Sequence, residues 1–246
     1  MIDSKVEIKA VVVSTINMCT QHCWHCKHGV ISPHPHFMPE GFAVKIIDDL
    51  AFIDYRNRLS LFNINEPLLD PRLEDFYKYA KKRLPNAFLS LSSNGDLVTE
   101  DVLQRLFNAG LQKITICLSH NQREEVLISY QSKFGNDKVH IVNHMNPRSF
   151  HNRGGLIASS DLSQIRYNAS GCALPFKQMS IYADCAVGLC SADQAENIKV
   201  EIGNMPIWQV FFENEVLNKY REMLKSNSRI MSPCVACSYN GVDYFN

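Results

Sequence analysis

The sequence predicts an α/β fold: a partial, open (β/α) barrel of about five to six parallel strands, followed by a small C-terminal extension. Three observations carry that expectation. Over residues 6–142, short β-branched or apolar runs alternate with helical stretches, the order that makes βαβ units and a parallel sheet. Five such strands fit there, too few for a closed eight-stranded barrel. Beyond His151 the alternation stops, Gly154-Gly155 breaks the chain, and cysteines recur. The predicted division is therefore 1–150 for the barrel and 151–246 for the extension.

Each element has its own signal. Residues 6–14 hold Val11-Val12-Val13 and read as a buried strand. A helix follows Pro39-Glu40, with apolar positions at Phe42, Val44, Ile46, Ile47 and Leu50. Residues 59–64 are a second strand. Asp70-Pro71 opens a helix bearing Leu73, Phe76, Tyr77 and Ala80, with Pro71 at its first position. Residues 87–91 are a strand ending at the turn Asn94-Gly95-Asp96. Thr99 caps a helix through Asn108, and Gly110 ends it. Residues 112–118, a short helix over 122–129 and a strand over 138–142 complete the barrel. In the extension, residues 179–182 and 186–189 form a hairpin around Asp184-Cys185. Residues 207–224 read as one amphipathic helix with Trp208, Phe211, Phe212, Val216, Tyr220 and Leu224 on one broad face.

Composition excludes several classes. Of 246 residues, 25 are Lys or Arg and 25 Asp or Glu, so the chain lacks the excess positive charge with which a nucleic-acid binder neutralises phosphates. With 46% hydrophobic and 20% charged residues it has the makings of an ordinary folded core. No apolar run approaches the roughly 20 residues needed to span a bilayer. The first residues lack the basic and apolar segments of a signal peptide, so the expected location is the cytoplasm, without nucleic-acid or membrane partners.

Nine cysteines then become informative, because a reducing compartment disfavours disulfides. They fall in groups: Cys19, Cys23 and Cys26; Cys117 alone, read as a small core residue; Cys172, Cys185 and Cys190; Cys234 and Cys237. Clustering in such a chain points to metal or catalysis. Cys19, Cys23 and Cys26 make the spacing CxxxCxxC just after the first strand. Three soft thiolates can hold three irons of a cubane, leaving the fourth iron to bind a small molecule. Zinc is the alternative, with His22, His25 and His28 nearby. Cys172, Cys190, Cys234 and Cys237 make a set of four that can fully ligate a second cubane, with Cys185 the less favoured hairpin thiol and zinc again the alternative.

The first group resembles the radical S-adenosylmethionine (SAM) superfamily, which carries this spacing after the first strand of a partial barrel. The resemblance implies that Cys19, Cys23 and Cys26 hold a [4Fe-4S] cluster and that its open iron binds SAM, which is cleaved to a 5′-deoxyadenosyl radical. It implies that His25, in the position before the third cysteine, lies near the adenine. Asn65-Glu66-Pro67 is similar to the family's Gly-Gly-Glu-Pro segment, where Glu66 meets the SAM amino group. Asn94 matches the family's Thr-Asn-Gly turn, and Ser119 closes the fourth strand facing the cofactor.

The segment from Cys172 through the hairpin to Cys190, Gly203-Asn204 and the tail pair resembles the SPASM/twitch extension. Its short form implies a second, auxiliary [4Fe-4S] cluster on Cys172, Cys190, Cys234 and Cys237. Asn152-Arg153-Gly154-Gly155 resembles a segment of a twitch-containing dehydrogenase branch acting on an aminocyclitol. There Arg153 would meet the substrate hydroxyl that loses its proton. Arginine is a poor base but stabilises an alkoxide-like oxygen well.

The function these resemblances imply is a radical SAM oxidoreductase that oxidises a secondary alcohol of a small polyol or aminocyclitol-like substrate to a ketone, the auxiliary cluster taking the second electron. An electron donor such as flavodoxin or ferredoxin is the implied partner. The alternatives are a radical SAM enzyme that modifies peptides, which the short segment before Cys19 argues against, an epimerase using Cys117 or Cys185 as hydrogen donor, and a zinc-binding interaction module.

Overall fold

The computed structural model describes residues 7–27, 34–118, 123–143, 152–157 and 171–239. Strand β1 (Ala10–Val13) leads through α1 (Glu40–Phe52) to β2 (Arg58–Ser60), and through α2 (Leu73–Arg83) to β3 (Phe88–Ser93). Helix α3 (Glu100–Asn108) connects to β4 (Lys113–Leu118), and α4 (Glu124–Phe134) to β5 (Val139–Asn143). A one-turn helix α5 (Leu174–Lys177) precedes β6 (Gln178–Ile181), β7 (Ala186–Gly188) and β8 (Lys199–Glu201). Helices α6 (Ile207–Glu213) and α7 (Glu215–Lys225) follow.

All eight strands join one open sheet in the order β5-β4-β3-β2-β1-β6-β7-β8. The first six are parallel, and β7 and β8 run antiparallel. β6 lies beyond residue 150 yet pairs with β1 from Ala10↔Gln178 to Val13↔Ile181, so the parallel sheet draws on both halves of the sequence. Among the described residues no helix is long and apolar enough to cross a membrane.

The pleat sorts the strand residues into two faces. Val11, Val13, Leu59, Leu89, Leu91, Ile114, Ile116, Leu118, Met179 and Ile181 share a core with Ile46, Ile47 and Leu50 of α1, Phe76 and Tyr77 of α2, and Leu103 and Leu106 of α3. Full burial of each such side chain is worth about 1.5–3 kcal/mol. The alternate residues face the other way and are largely polar. Ser180, Val12, Ser60, Ser90 and Lys113 lie in register across five strands, and Ser92, Thr115 and His140 across three. One face thus holds the fold together, and the other offers hydrogen-bonding groups.

Cys117 belongs to that second face. It lies outside the hydrophobic core and is half-buried, which corrects the reading of it as a small core residue. Residues 207–224 are likewise two helices. Asn214 stops α6 in extended backbone, and its side-chain oxygen accepts hydrogen bonds from Val216 N (3.0 Å) and Leu217 N (3.2 Å) to cap α7. Val216, expected on the apolar face, is exposed. Helix α2 starts at Leu73, with Pro71 in the preceding turn, where Asp70 accepts from Arg72 N. Helix α4 runs on to Phe134. Thr99 caps α3 as expected, accepting from Val102 N.

Candidate cluster and cofactor site

The loop after β1 carries Cys19, Cys23 and Cys26 to the carboxyl ends of the neighbouring strands. Ile64 N donates to Ser14 Oγ (3.2 Å), and Glu66 N to Met18 O (2.8 Å), which lays residues 64–66 beside Cys19. The Glu66 carboxylate, 1% exposed, accepts from Leu68 N (3.1 Å), Ser93 Oγ (2.9 Å) and Asn94 N (2.8 Å). It thereby joins the second and third strand ends. Asn94 donates to Thr20 Oγ1 (2.8 Å) and lies 3.6 Å from Cys19 Sγ. Asp96 accepts from both Thr20 and Gln21. Gly95 makes this turn possible: its φ is +88°, and a Cβ there would meet Ile116 Cγ2 at 2.9 Å.

Sequence reasoning singled out Glu66 and Asn94 but missed Thr20, Gln21 and Asp96. Asp96 stands next to the Asn-Gly turn, and its partners lie 76 and 75 residues away. His25 is buried and packs edge-on against Trp24, ring centroids 5.3 Å apart. Ser119 and His28 lie outside the described residues.

Burial dominates the electrostatics. It pushes the Cys19 thiol up to about 11, with Glu66, Cys26 and Cys23 adding to the effect and the Gln21 amide opposing it. It pushes Glu66 up to about 7 against the three hydrogen bonds that favour its anion. Thiolates so disfavoured suit a site where a cationic cluster compensates the charge. Around this loop several polar atoms are buried without a protein partner: Thr15 Oγ1, both amide atoms of Asn63, Asn65 Nδ2 and, on β6, Ser180 Oγ. Unsatisfied polar atoms at strand carboxyl ends fit a polar cofactor such as SAM.

Cys117 faces the same region. Burial raises its thiol to about 11; the Arg153 charge opposes this, while Glu66 and Cys23 add to it. Arg153, from the chain beyond the barrel, therefore acts on the same space as the first cysteine loop.

The second group gathers four thiols from three distant segments. Cys172, Cys190, Cys234 and Cys237 line one largely apolar cavity, together with Gly154, Pro175 and Arg229. Cys185 is absent from that lining and sits at the hairpin tip with φ +67°. Burial raises Cys190 well above the ordinary thiol range, and the other three thiols add to it. Cys234 is raised to about 12 by burial, with Arg229 opposing. Arg229 donates to Cys237 O, Tyr239 O and Gly171 O and so ties the two ends of this site together. Among the described residues, no three His, Cys, Asp or Glu side chains are set to hold a single metal ion. Four thiols lining one cavity match the ligand number of a [4Fe-4S] cluster.

The two cysteine regions touch. Lys27, next to Cys26, donates its N–H to Gln194 Oε1 (3.3 Å) and pairs through its ammonium with Glu196, both in the segment after Cys190.

Comparisons with known proteins agree with this geometry. The chain is 25% identical over 234 residues to the S-adenosyl-L-methionine-dependent 2-deoxy-scyllo-inosamine dehydrogenase of Niallia circulans, covering 93% of this chain and 92% of that protein. It shares its fold with BtrN, solved in complex with AdoMet and 2-DOIA, at a TM-score of 0.83 and 24% identity, over 97% of this chain and 96% of the other. SuiB of Streptococcus suis, solved bound to its precursor peptide SuiA, matches at a TM-score of 0.55 and 10% identity, over 94% of this chain and 69% of that one. Residues 13–139, more than half of the chain, match the Radical SAM superfamily, and with its three-cysteine loop placed at the strand ends this chain belongs to that superfamily.

Proposed function

We propose that this chain is a radical SAM dehydrogenase that oxidises a secondary alcohol of a small polyol or aminocyclitol to a ketone. Membership of the superfamily brings SAM and one [4Fe-4S] cluster. Cys19, Cys23 and Cys26 are the proposed ligands of that cluster. Glu66, Asn65, Asn94, His25 and Ser119 are the proposed surroundings of SAM, and a flavodoxin or ferredoxin is the proposed electron donor. Cys172, Cys190, Cys234 and Cys237 are the proposed ligands of an auxiliary [4Fe-4S] cluster in a twitch-like extension over 151–246, following the barrel domain of 1–150.

Turning an alcohol into a ketone removes a hydrogen atom, a proton and one further electron. When bound, the SAM-binding cluster and the auxiliary cluster supply hydrogen-atom abstraction and an electron acceptor. The protein's own part falls to Arg153. Its guanidinium stays protonated, so it stabilises the substrate oxygen while the proton passes to solvent, rather than taking that proton itself. The polar face of the sheet, with Ser92, Thr115 and His140 in one register, offers hydroxyl partners to a hydrophilic substrate.

One observation carries the reading. Gly154, adjoining Arg153, lines the same cavity as the four thiols, so the proposed electron exit abuts the proposed substrate residue. The similarity of nearly the whole chain to a named dehydrogenase supports it. A second reading, epimerisation by return of a hydrogen atom to the substrate carbon from a thiol, is favoured by Cys117 facing the space on which Arg153 acts.

Anaerobic reconstitution with iron and sulfide should give a brown protein with about eight irons per chain. 5′-Deoxyadenosine release is then followed against a panel of cyclitols, sugars and peptides. Ketone formation with a cyclitol supports the dehydrogenase, an inverted alcohol supports the epimerase, and a colourless zinc protein would sink both.

A further inference from the structure

One residue of the turn that carries Arg153, the arginine itself, sits against local backbone preference. Arg153, Gly154 and Gly155 follow one another at φ +51°, +68° and +91°. A non-glycine residue in the left-handed region costs about 1 kcal/mol or more and persists where its surroundings impose it. Here the surroundings are the four-thiol site. A Cβ on Gly154 would meet Ala192 O at 3.0 Å and Asp193 Cα at 3.3 Å, just past Cys190. A Cβ on Gly155 would meet Ala236 Cβ at 2.8 Å, between Cys234 and Cys237.

Asn152, 4% exposed, closes the contact in both directions. Its backbone N–H donates to Ser238 Oγ (2.8 Å), its Oδ1 accepts from Ser238 N (2.9 Å), and its Nδ2 donates to Ala236 O. Its carbonyl accepts from Gly155 N (3.0 Å) and Ile157 N (3.2 Å), so the same residue shapes the turn it anchors.

We infer that Asn152 is a positioning residue: it latches the Arg153 turn onto the 234–238 loop, so that the folded four-thiol site determines where Arg153 meets the substrate. The inference rests on the reading of Arg153 as the substrate-hydroxyl residue. Substrate affinity is thereby coupled to the integrity of a site that does not itself touch the substrate, and the coupling runs through hydrogen bonds and two close glycine contacts.

The test uses the reconstituted, SAM-loaded full chain without reductant, with 2-deoxy-scyllo-inosamine as the probe and binding read by calorimetry. Asn152→Ala should raise the probe's Kd about tenfold, approaching Arg153→Gln, as expected from losing several hydrogen bonds of ordinary strength. In turnover the change should appear in KM rather than kcat. Asn152→Asp, which keeps the acceptor for Ser238 N but loses the donor to Ala236 O, should fall between. Ser238→Ala should have a smaller effect of the same kind and keeps the test open if Asn152→Ala folds poorly.

Iron content and the cluster spectra should equal those of the unaltered chain. Hydrogen exchange at Gly155 and Ile157 should quicken about tenfold in Asn152→Ala, a readout that needs no substrate.

Unchanged exchange, or faster exchange with Kd and KM unmoved while Arg153→Gln weakens binding, would overturn the latch. Loss of iron in every Asn152 and Ser238 variant would also overturn it, since the residues would then merely hold the thiol site together. An Arg153→Gln variant that binds and turns over normally defeats the substrate reading of Arg153 instead, as does a probe that fails to bind the unaltered chain. In that last case exchange alone judges the latch.

Discussion

The two cysteine regions gather their thiols by opposite routes. Cys19, Cys23 and Cys26 come from eight consecutive residues and need only a loop placed at the strand ends. Cys172, Cys190, Cys234 and Cys237 span 66 residues of sequence and meet only because a helical turn, a hairpin and a C-terminal loop pack together. The first group is open enough to accept a cofactor, with its three thiols half-buried. The second has Cys190 and Cys234 buried and Cys172 and Cys237 half-buried. A local ligand set suits a cluster that must expose one iron, whereas an assembled and enclosed set suits a cluster with all four irons held by protein.

The largest effect expected of a substitution follows from the local set. Cys26→Ala removes one of the three proposed ligands, and it should abolish SAM cleavage, read as 5′-deoxyadenosine release, with loss of about four irons. Retained cleavage would break the comparison at its root. Cys234→Ala should lose a similar amount of iron from the assembled set yet keep some SAM cleavage, while ketone formation stops. Normal turnover by this variant would remove the electron-exit role.

Glu66→Gln sharpens the contrast within the barrel. The carboxylate accepts from three donors, and a Gln amide turns an NH₂ toward some of them, so stability should fall by about 1–3 kcal/mol and SAM should bind more weakly. The variant should also lose a pH dependence. Burial raises the Glu66 pKa from 4.5 to about 7, so the folded state holds this proton more tightly than the unfolded chain does. The resulting stability is fully present below about 4.5 and is lost as pH rises through about 7. Melting curves of the chain before cluster loading should show that decline, and Glu66→Gln should flatten it.

Cys185→Ser should do least. This residue lies at the hairpin tip outside the four-thiol cavity, and its left-handed backbone is no worse for Ser than for Cys. Stability should change by no more than about 0.5 kcal/mol, with iron content unchanged. Loss of iron here would mean that the assembled set includes the wrong hairpin thiol.

Much of this was legible in the residues because it is governed by neighbours in sequence. The CxxxCxxC loop, the Thr99 cap, the Asn94-Gly95 turn and the hairpin around Asp184-Cys185 each need only a few consecutive residues, and each is found where the sequence puts it. The missed part of the first loop depends on partners far away, since Asp96 accepts from Thr20 and Gln21. Asn214 was missed for a local reason: it reads as one polar residue inside an apolar helical pattern, and its cap reaches only Val216 and Leu217. That Glu66 is a site residue was legible, but not that its oxygens accept from Ser93 and Asn94 at the next strand end as well as from Leu68.

The sequence by itself determined the alternation of strands and helices, the three-thiol loop and the identity of the remaining thiols, because backbone preference and ligand spacing act over a few residues. Only the tertiary structure decided which thiols share a cavity, that Cys117 looks toward the site instead of the core, and that Asn152, beside Arg153, is hydrogen-bonded to the 234–238 loop. The physical reason is that strand periodicity tells which residues share a face but not which face is buried, and that distant ligands meet only once the sheet register and the packing against it are set.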